Sequence, residues 1–590
     1  MVDRNENRKK MSSIPTFFYV GLLTAVLSGC QAPTPPKNAP ICPPGSAPLL
    51  EERFPVKVGC EQQDGLTLYA QQKPAQSVPR ARAEFSGTDL DIPPVFIGVS
   101  ISGGGSRAAV FGMAVLERLH NLGILQNVSA ISTTSGGGLA GAYYAIHGQN
   151  INWSNAHDLM AIDYQSPWIK ASLNPTSLWS QFTTTKDRAD VMNEILDQEL
   201  FDRLTYSDLG PFVPGKAPIW LANATRLEGT ERFTFSTKSF DRIHSDLAQF
   251  PISSAVTASA AFPGAFNSMT LFDYRLRIKD AVPAIRNEDS YIHLIDGGPT
   301  DNLGIEALLE LAKSHARQVL RPEDGNQSRQ DSRQGICMLI VVDAYTPGLK
   351  GKYSSRDDLR GFVGRFVDLN FFDAIDAMLL GRRNDLLGYL GLGSGTYRPL
   401  FSPRFVYFDS PVVSSSIGAG HRVQPESLGN VPEIYLSRKP SEIAEVTPIP
   451  DRSMRCAVWH INLSGTKNIQ HSPDLQDERG PDSLVDRKER VKLDNLVSQI
   501  STNFRLKGPE RCSDKLLRDA LHEAADILVY EDKFSRQAAC EWLTTHGLDK
   551  HGVCKAPRTR QAKAADINAQ LMFSDKPVAG WTETMRLECK

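Results

Sequence analysis

VSAISTTSGGGLAGAYYAIH, residues 128–147, changes its periodicity halfway along. Val128 to Ser132 is a short run with β-branched residues and suits a strand. From Gly136 to His147 the apolar positions Leu139, Ala142, Tyr143 and Ile146 fall at helical spacing. Ser135 therefore sits between a strand and a helix, in a turn tight enough to need small neighbours on both sides. A serine so placed is exposed at the strand's carboxyl end and lies beside a helix N-terminus, as in a nucleophile elbow. The usual elbow is G-x-S-x-G; here Thr133 stands where its first glycine would be. Alone, a serine in a glycine-rich turn reads as a turn residue, so its neighbours in the chain decide.

Upstream, VFIGVSI at 95–101 reads as a buried strand, and SGGGSR at 102–107 follows it. A helix then presents Val110, Met113, Ala114 and Leu116, with Val115 beside them. Gly103, Gly104 and Gly105 leave backbone N–H groups unshielded, and such a loop at a helix N-terminus suits an anion. The competing reading is a dinucleotide fingerprint, since Gly103-x-Gly105-x-x-Ala108 fits G-x-G-x-x-G/A. That fingerprint wants an acidic residue at the end of the next strand. The next strand ends instead in Ser132, Thr133, Thr134 and Ser135, which disfavours a nucleotide. Far downstream, Tyr291 to Ile295 suits a strand, and Asp296 precedes the sharp turn Gly297-Gly298-Pro299. An Asp-Gly pair alone is an ordinary turn signal. Beside the other two turns, it supplies the carboxylate that ester hydrolysis needs.

In combination these stretches resemble the patatin-like phospholipase family over roughly residues 95–345. SGGGSR looks like that family's oxyanion loop with its basic residue, TTSGGG like its nucleophile turn and IDGG like its D-G-G/A motif. AVTASAAFPGAF at 255–266 is similar to the family's A-S-x-A-x-P-x-x-F stretch. LANATRLEGTERFTFS at 221–236 looks like the strand and hairpin before it. The resemblance implies a Ser–Asp dyad of Ser135 and Asp296. It also implies an oxyanion hole drawn from Gly103, Gly104, Gly105 and Gly136, with Arg107 orienting the loop or meeting a phosphate. A histidine-assisted triad is the rival, because His315, His421 and His460 all follow Asp296. His460, within the apolar run AVWHINL, reads as a core histidine.

The N-terminus carries Arg4, Arg8, Lys9 and Lys10, then an apolar stretch from Ile14 to Leu27 that is short for a membrane span. Leu27-Ser28-Gly29-Cys30 resembles a bacterial lipoprotein signal with its lipobox. That resemblance implies cleavage before Cys30 and lipid anchoring through its thiol, with Gln31 favouring the outer membrane. An ordinary apolar signal that happens to meet a cysteine is the alternative. APTPPKNAPICPPGSAP, which follows, reads as a Pro-rich tether.

At 590 residues and 41% hydrophobic, the chain can bury a large core, and its net charge of −2 makes no case for nucleic acid. Setting Cys30 aside leaves eight of the nine cysteines, an even number for an oxidising compartment. Cys42 with Cys60, and Cys540 with Cys554, pair by closeness in sequence. Cys337 and Cys456 lie in strand-like runs that could be neighbours. No CxxC or His–Cys cluster suggests a metal site, and no cofactor is implied. Gln334 to Asp343 reads as a further buried strand. Residues 362–392 read as a core helix or as a lid or membrane-facing surface, and 464–490 as a polar surface excursion. Helical spacing recurs at 491–500 and 513–530, with Ser513 as N-cap of the second.

The expected fold is a three-layer α/β patatin-like domain, with a largely parallel sheet, its site at the strands' carboxyl ends, and C-terminal helices added. The segments are 1–29 leader, 30–90 tether and extension, 91–350 catalytic domain, 351–510 its continuation with insertions, and 511–590 helical region and tail. The expected activity is lipid acyl hydrolysis at a membrane. An esterase or thioesterase for soluble acyl substrates is the alternative, as is an idle lipoprotein that binds lipid or protein.

Overall fold

The computed structural model describes residues 37–41, 47–50, 57–61, 67–68, 95–174, 187–319 (except 211, 213–214, 217, 230, 264 and 275–290), 335–346, 370–390, 392, 400–402, 406–408, 434–436, 454–468, 487–508, 512–549, 552 and 554. The leader, Cys30, most of the Pro-rich tether, Cys42, His421 and the tail beyond 554 lie outside these residues.

In chain order, the elements that build the site begin with β1 (Val95–Ile101), α1 (Gly105–Asn121), β2 (Ala130–Thr134) and α2 (Gly137–His147). Next come β3 (Ile219–Arg226), β4 (Glu231–Thr234), α3 (Ile252–Ser259), β5 (Met269–Phe272) and β6 (Tyr291–Asp296). They are followed by α4 (Ile305–Val319), β7 (Gly335–Asp343), α5 (Asn370–Tyr389), β8 (Leu400–Ser402) and β9 (Met454–Asn462). Last are α6 (Arg487–Ser498), α7 (Asp514–Asp526) and α8 (Lys533–Thr545).

All nine strands share one sheet in the order β8-β9-β7-β1-β2-β3-β6-β5, with β4 also on β3. The five strands from β9 to β3 are mutually parallel. β8 is antiparallel to β9 and β6 is antiparallel to β3, while the edge strand β5, antiparallel to β6, runs with the parallel five.

Strand β1 is buried at every residue because helices cover both faces of the sheet, the reason its sequence runs apolar without alternation. Its alternate residues still separate. Ile97, Val99 and Ile101 join the core under α1, α2 and α3, whereas Phe96 joins the core under α4 with Cys337, Leu339 and Val341 of β7. Leu516, Leu517, Ala520 and Leu521 of α7 pack into the first of these cores. Ser513 caps α7 by accepting from Leu516 N–H at 3.1 Å. Cys337 and Cys456 are disulfide-bonded at directly paired positions of β7 and β9, and Cys540 is bonded to Cys554. Within 362–392 the described helix is α5. Leu386 and Leu387 are core residues, while Met378 is 68% exposed.

Candidate active site

Register alone brings the two predicted reactive residues together. Thr134 pairs with Asn223 of β3, so Ser135 follows at the level of Ala224. Asp296 pairs with Ala224 from the opposite side, because β6 returns antiparallel. Their side chains meet above the end of β3, where Ser135 Oγ–H donates to Asp296 Oδ2 at 2.8 Å. The other carboxylate oxygen accepts Gly298 N–H at 2.8 Å. Asp296 is buried, and burial pushes its carboxyl up to about 6; the bonds from Gly298 and Ser135 pull the other way.

Ser135 sits at φ 51°, the left-handed region that a side chain enters at a cost. A chain of polar contacts holds it there. Ser135 N–H donates to Ser259 Oγ at 2.8 Å, and the Ser259 hydroxyl donates to Asn223 C=O at 2.5 Å. Asn223 Nδ2 donates to Ser132 Oγ and to Thr133 C=O, at 2.9 and 3.0 Å, and Asn223 Oδ1 accepts from Thr234 Oγ1 at 2.9 Å. The segment after α3 also reaches the aspartate, since Asp296 N–H donates to Ala261 C=O and Gly297 N–H to Ser259 C=O. Sequence reasoning singled out the 255–266 stretch without giving Ser259 a part. Asn223 was missed as well, and neither has a local signal beyond membership of those stretches.

Thr133 is accommodated by a glycine elsewhere. Its hydroxyl accepts Trp220 Nε1–H at 3.1 Å, and its methyl occupies the space a side chain at Gly141 on α2 would need. The room normally provided by the elbow's first glycine is here provided from the helix.

The glycine-rich turn leaves β1 with Gly104 at φ 140° and Gly105 at φ 55°. Gly103 N–H already donates to Asn302 C=O at 2.9 Å, so Gly103 contributes close approach rather than an open donor. The N–H groups of Gly104, Gly105 and Gly136 donate to no described residue. Gly136 lies so close to Gly105 C=O that a Cβ there would overlap it, which sets the two turns side by side. Arg107 is buried, donating from Nη1 to Thr346 Oγ1 at 2.9 Å and to Ile500 C=O at 3.0 Å.

The two described histidines of the alternative triad stand elsewhere. His460 Nε2 is 3.0 Å from Asp343 Oδ2, inside a buried cluster with Arg383, and His315 is buried against the Phe96 ring. Burial alone would raise the Asp343 carboxyl. The Arg383 guanidinium and His460 overcome it and hold Asp343 well below the usual carboxylate range. Among the described residues no group of His, Cys, Asp and Glu is arranged to hold a metal ion.

Residues 99–309 match the model of the patatin-like phospholipase family, and Ser135, Asp296 and the glycine-rich turn all fall inside the match. The chain carries a patatin-like phospholipase domain. The patatin-like segment ends before β7, whereas β7, α5 and β9 continue the same sheet and its cover. Among solved structures the chain is similar to human GIVD cytosolic phospholipase A2, at 11% identity and a TM-score of 0.37, over 77% of this chain and 60% of that one. It is similar to the same enzyme in complex with methyl gamma-linolenyl fluorophosphonate and terbium chloride, at 12% identity and a TM-score of 0.34, over 77% and 60%. VipD from Legionella pneumophila matches at 13% identity and a TM-score of 0.21, over 48% of this chain and 57% of that one. The chain thus spans about 60% of the human enzyme's length. No curated protein matches it.

Proposed function

We propose that this protein is a serine lipid acyl hydrolase acting on phospholipid or lysophospholipid through a Ser135–Asp296 dyad. The observation that carries the reading is the 2.8 Å hydrogen bond from Ser135 Oγ to a buried Asp296 carboxylate, made from a left-handed elbow. Asp296 takes the Ser135 proton as Oγ attacks the ester carbonyl. The tetrahedral oxyanion is met by the open N–H groups of Gly104, Gly105 and Gly136. The protonated Asp296 then gives its proton to the departing alcohol, leaving an acyl-enzyme. Water attacks that ester, Asp296 takes its proton, and Ser135 is regenerated as fatty acid leaves.

An aspartate ordinarily ionises near ~4, too acidic to serve well as a base near neutrality. Burial corrects this by bringing the carboxyl to about 6, close to the pH at which it must accept a proton. The test is fatty-acid release from mixed phospholipid vesicles and from a short soluble ester, with Ser135→Ala alongside. The reading predicts release from vesicles that falls by about 10⁴-fold or more in the variant. Activity confined to the soluble ester would favour the esterase alternative. Release that survives in Ser135→Ala would sink the dyad.

A further inference from the structure

The loop after α6 lies almost two hundred residues past the patatin-like segment, yet it packs directly on the glycine-rich turn. Ser501 N–H donates to Lys507 C=O at 2.7 Å and closes residues 501–507 into a compact loop. On one side, Asn503 C=O accepts Ser106 N–H at 2.8 Å, and Ile500 C=O accepts Arg107 Nη1 at 3.0 Å. Thr502 C=O lies so close to Gly105 that any Cβ there would overlap it. On the other side, Phe504 C=O accepts N–H from Tyr164 and Gln165 at 3.0 and 3.1 Å. The buried Phe504 ring stands edge-on to Phe266, 6.3 Å between centroids, and Arg505 Nε is 3.3 Å from Asp163 Oδ2.

A turn of three glycines has many conformations to lose and cannot hold its own N–H groups in place. Oxyanion stabilisation, however, depends on donors aimed before the charge develops. The loop supplies what the turn lacks. It takes up the Ser106 donor and the Arg107 guanidinium, it fills the space beside Gly105, and it leaves the Gly104 and Gly105 N–H groups open. The Arg107 Nη1 is thereby engaged by this loop and by Thr346.

We propose that residues 500–505 form a clamp that positions the oxyanion turn, making a segment outside the family match part of the active-site scaffold. This rests on the hydrolase reading. Two changes test it in the full chain: replacement of Thr502–Arg505 by Gly-Gly, and Phe504→Ala compared with Phe504→Leu. Fatty-acid release from phospholipid vesicles and the rate of Ser135 phosphonylation by a long-chain fluorophosphonate are measured together.

The clamp predicts that the Gly-Gly replacement lowers kcat on the order of 100-fold. KM should stay within about twofold, because ground-state binding is untouched. Phosphonylation should slow in parallel, the acid limb near 6 set by Asp296 should not move, and Phe504→Leu should recover most of what Phe504→Ala loses. An unchanged kcat in folded protein, with or without a raised KM, overturns the proposal. If the replacement fails to fold, the two Phe504 variants decide by the same criteria. A wild-type protein that neither releases fatty acid nor reacts with the fluorophosphonate removes the hydrolase reading, and the clamp falls with it. Phosphonylation without lipid turnover leaves the clamp decidable from the phosphonylation rates alone.

Discussion

In the proposed dyad, the burial that would suit Asp296 as a base is also what makes it costly to the fold. Its carboxyl is buried and raised from 3.8 to about 6, so the folded protein holds a proton that the unfolded chain has already released in that window. Stability therefore falls as pH rises from about 4 to 6 and stays lower above it, by about 3 kcal/mol. Activity runs the opposite way, since the base must be ionised, and should be lost as pH falls through about 6. Asp296→Asn removes both effects. It should abolish turnover, yet raise thermal stability at about pH 8, with the gain vanishing near pH 4. A variant no more stable than wild type in calorimetry at the higher pH would contradict a buried carboxylate whose hydrogen bonds only partly offset its burial. Asp343 makes the contrast: also buried, it has Arg383 and His460 against it and stays ionised.

At the scale of elements, the elbow depends on how closely α2 lies on β2 and β3. The Thr133 methyl fills the notch at Gly141, and its hydroxyl is bonded to Trp220. Gly141→Ala should therefore destabilise the protein by about 1–3 kcal/mol through overpacking. Adding Thr133→Ser, which keeps the hydroxyl and deletes the methyl, should restore most of that loss in a denaturation experiment. Equal destabilisation in the single and double variants would show that the methyl is not what Gly141 accommodates. The elements themselves were legible where their pattern was local. VFIGVSI and ICMLIVVDA read as strands because burial on the sheet leaves mostly apolar runs, and Ser513 read as a cap because capping is a one-residue signal. The reversed direction of β6 was not legible, although it is what brings Asp296 level with Ser135. Strand direction is set by connections across the fold and leaves no mark on the strand's own residues.

For the whole molecule, the site is assembled from turns that are far apart in sequence and one loop that is farther still. Ser135 and Asp296 are 161 residues apart, and Arg107 reaches a carbonyl 393 residues away. The first pairing was legible because glycine-rich turns and an Asp-Gly-Gly corner have distinctive residue types. The second was not, because the 500–505 loop works mainly through backbone carbonyls, which every residue possesses. Ser259 and Asn223 fall between these cases: polar residues in motifs already noticed, whose roles appear only when β3, α3 and the elbow are packed together. In the proposed mechanism the patatin-like segment supplies the reactive groups, while β7 and β9 extend the sheet and the loop after α6 packs on the glycine-rich turn.

The most direct test of this account is to catch the acyl-enzyme. Protein mixed with phospholipid vesicles, quenched in acid during turnover and digested, would be examined by mass spectrometry for a fatty-acyl ester. The account predicts that ester on the peptide containing Ser135, formed in wild type and absent from Ser135→Ala. Continued fatty-acid release with no adduct under conditions that trap one in a control serine hydrolase, or with the acyl group on another residue, would contradict it.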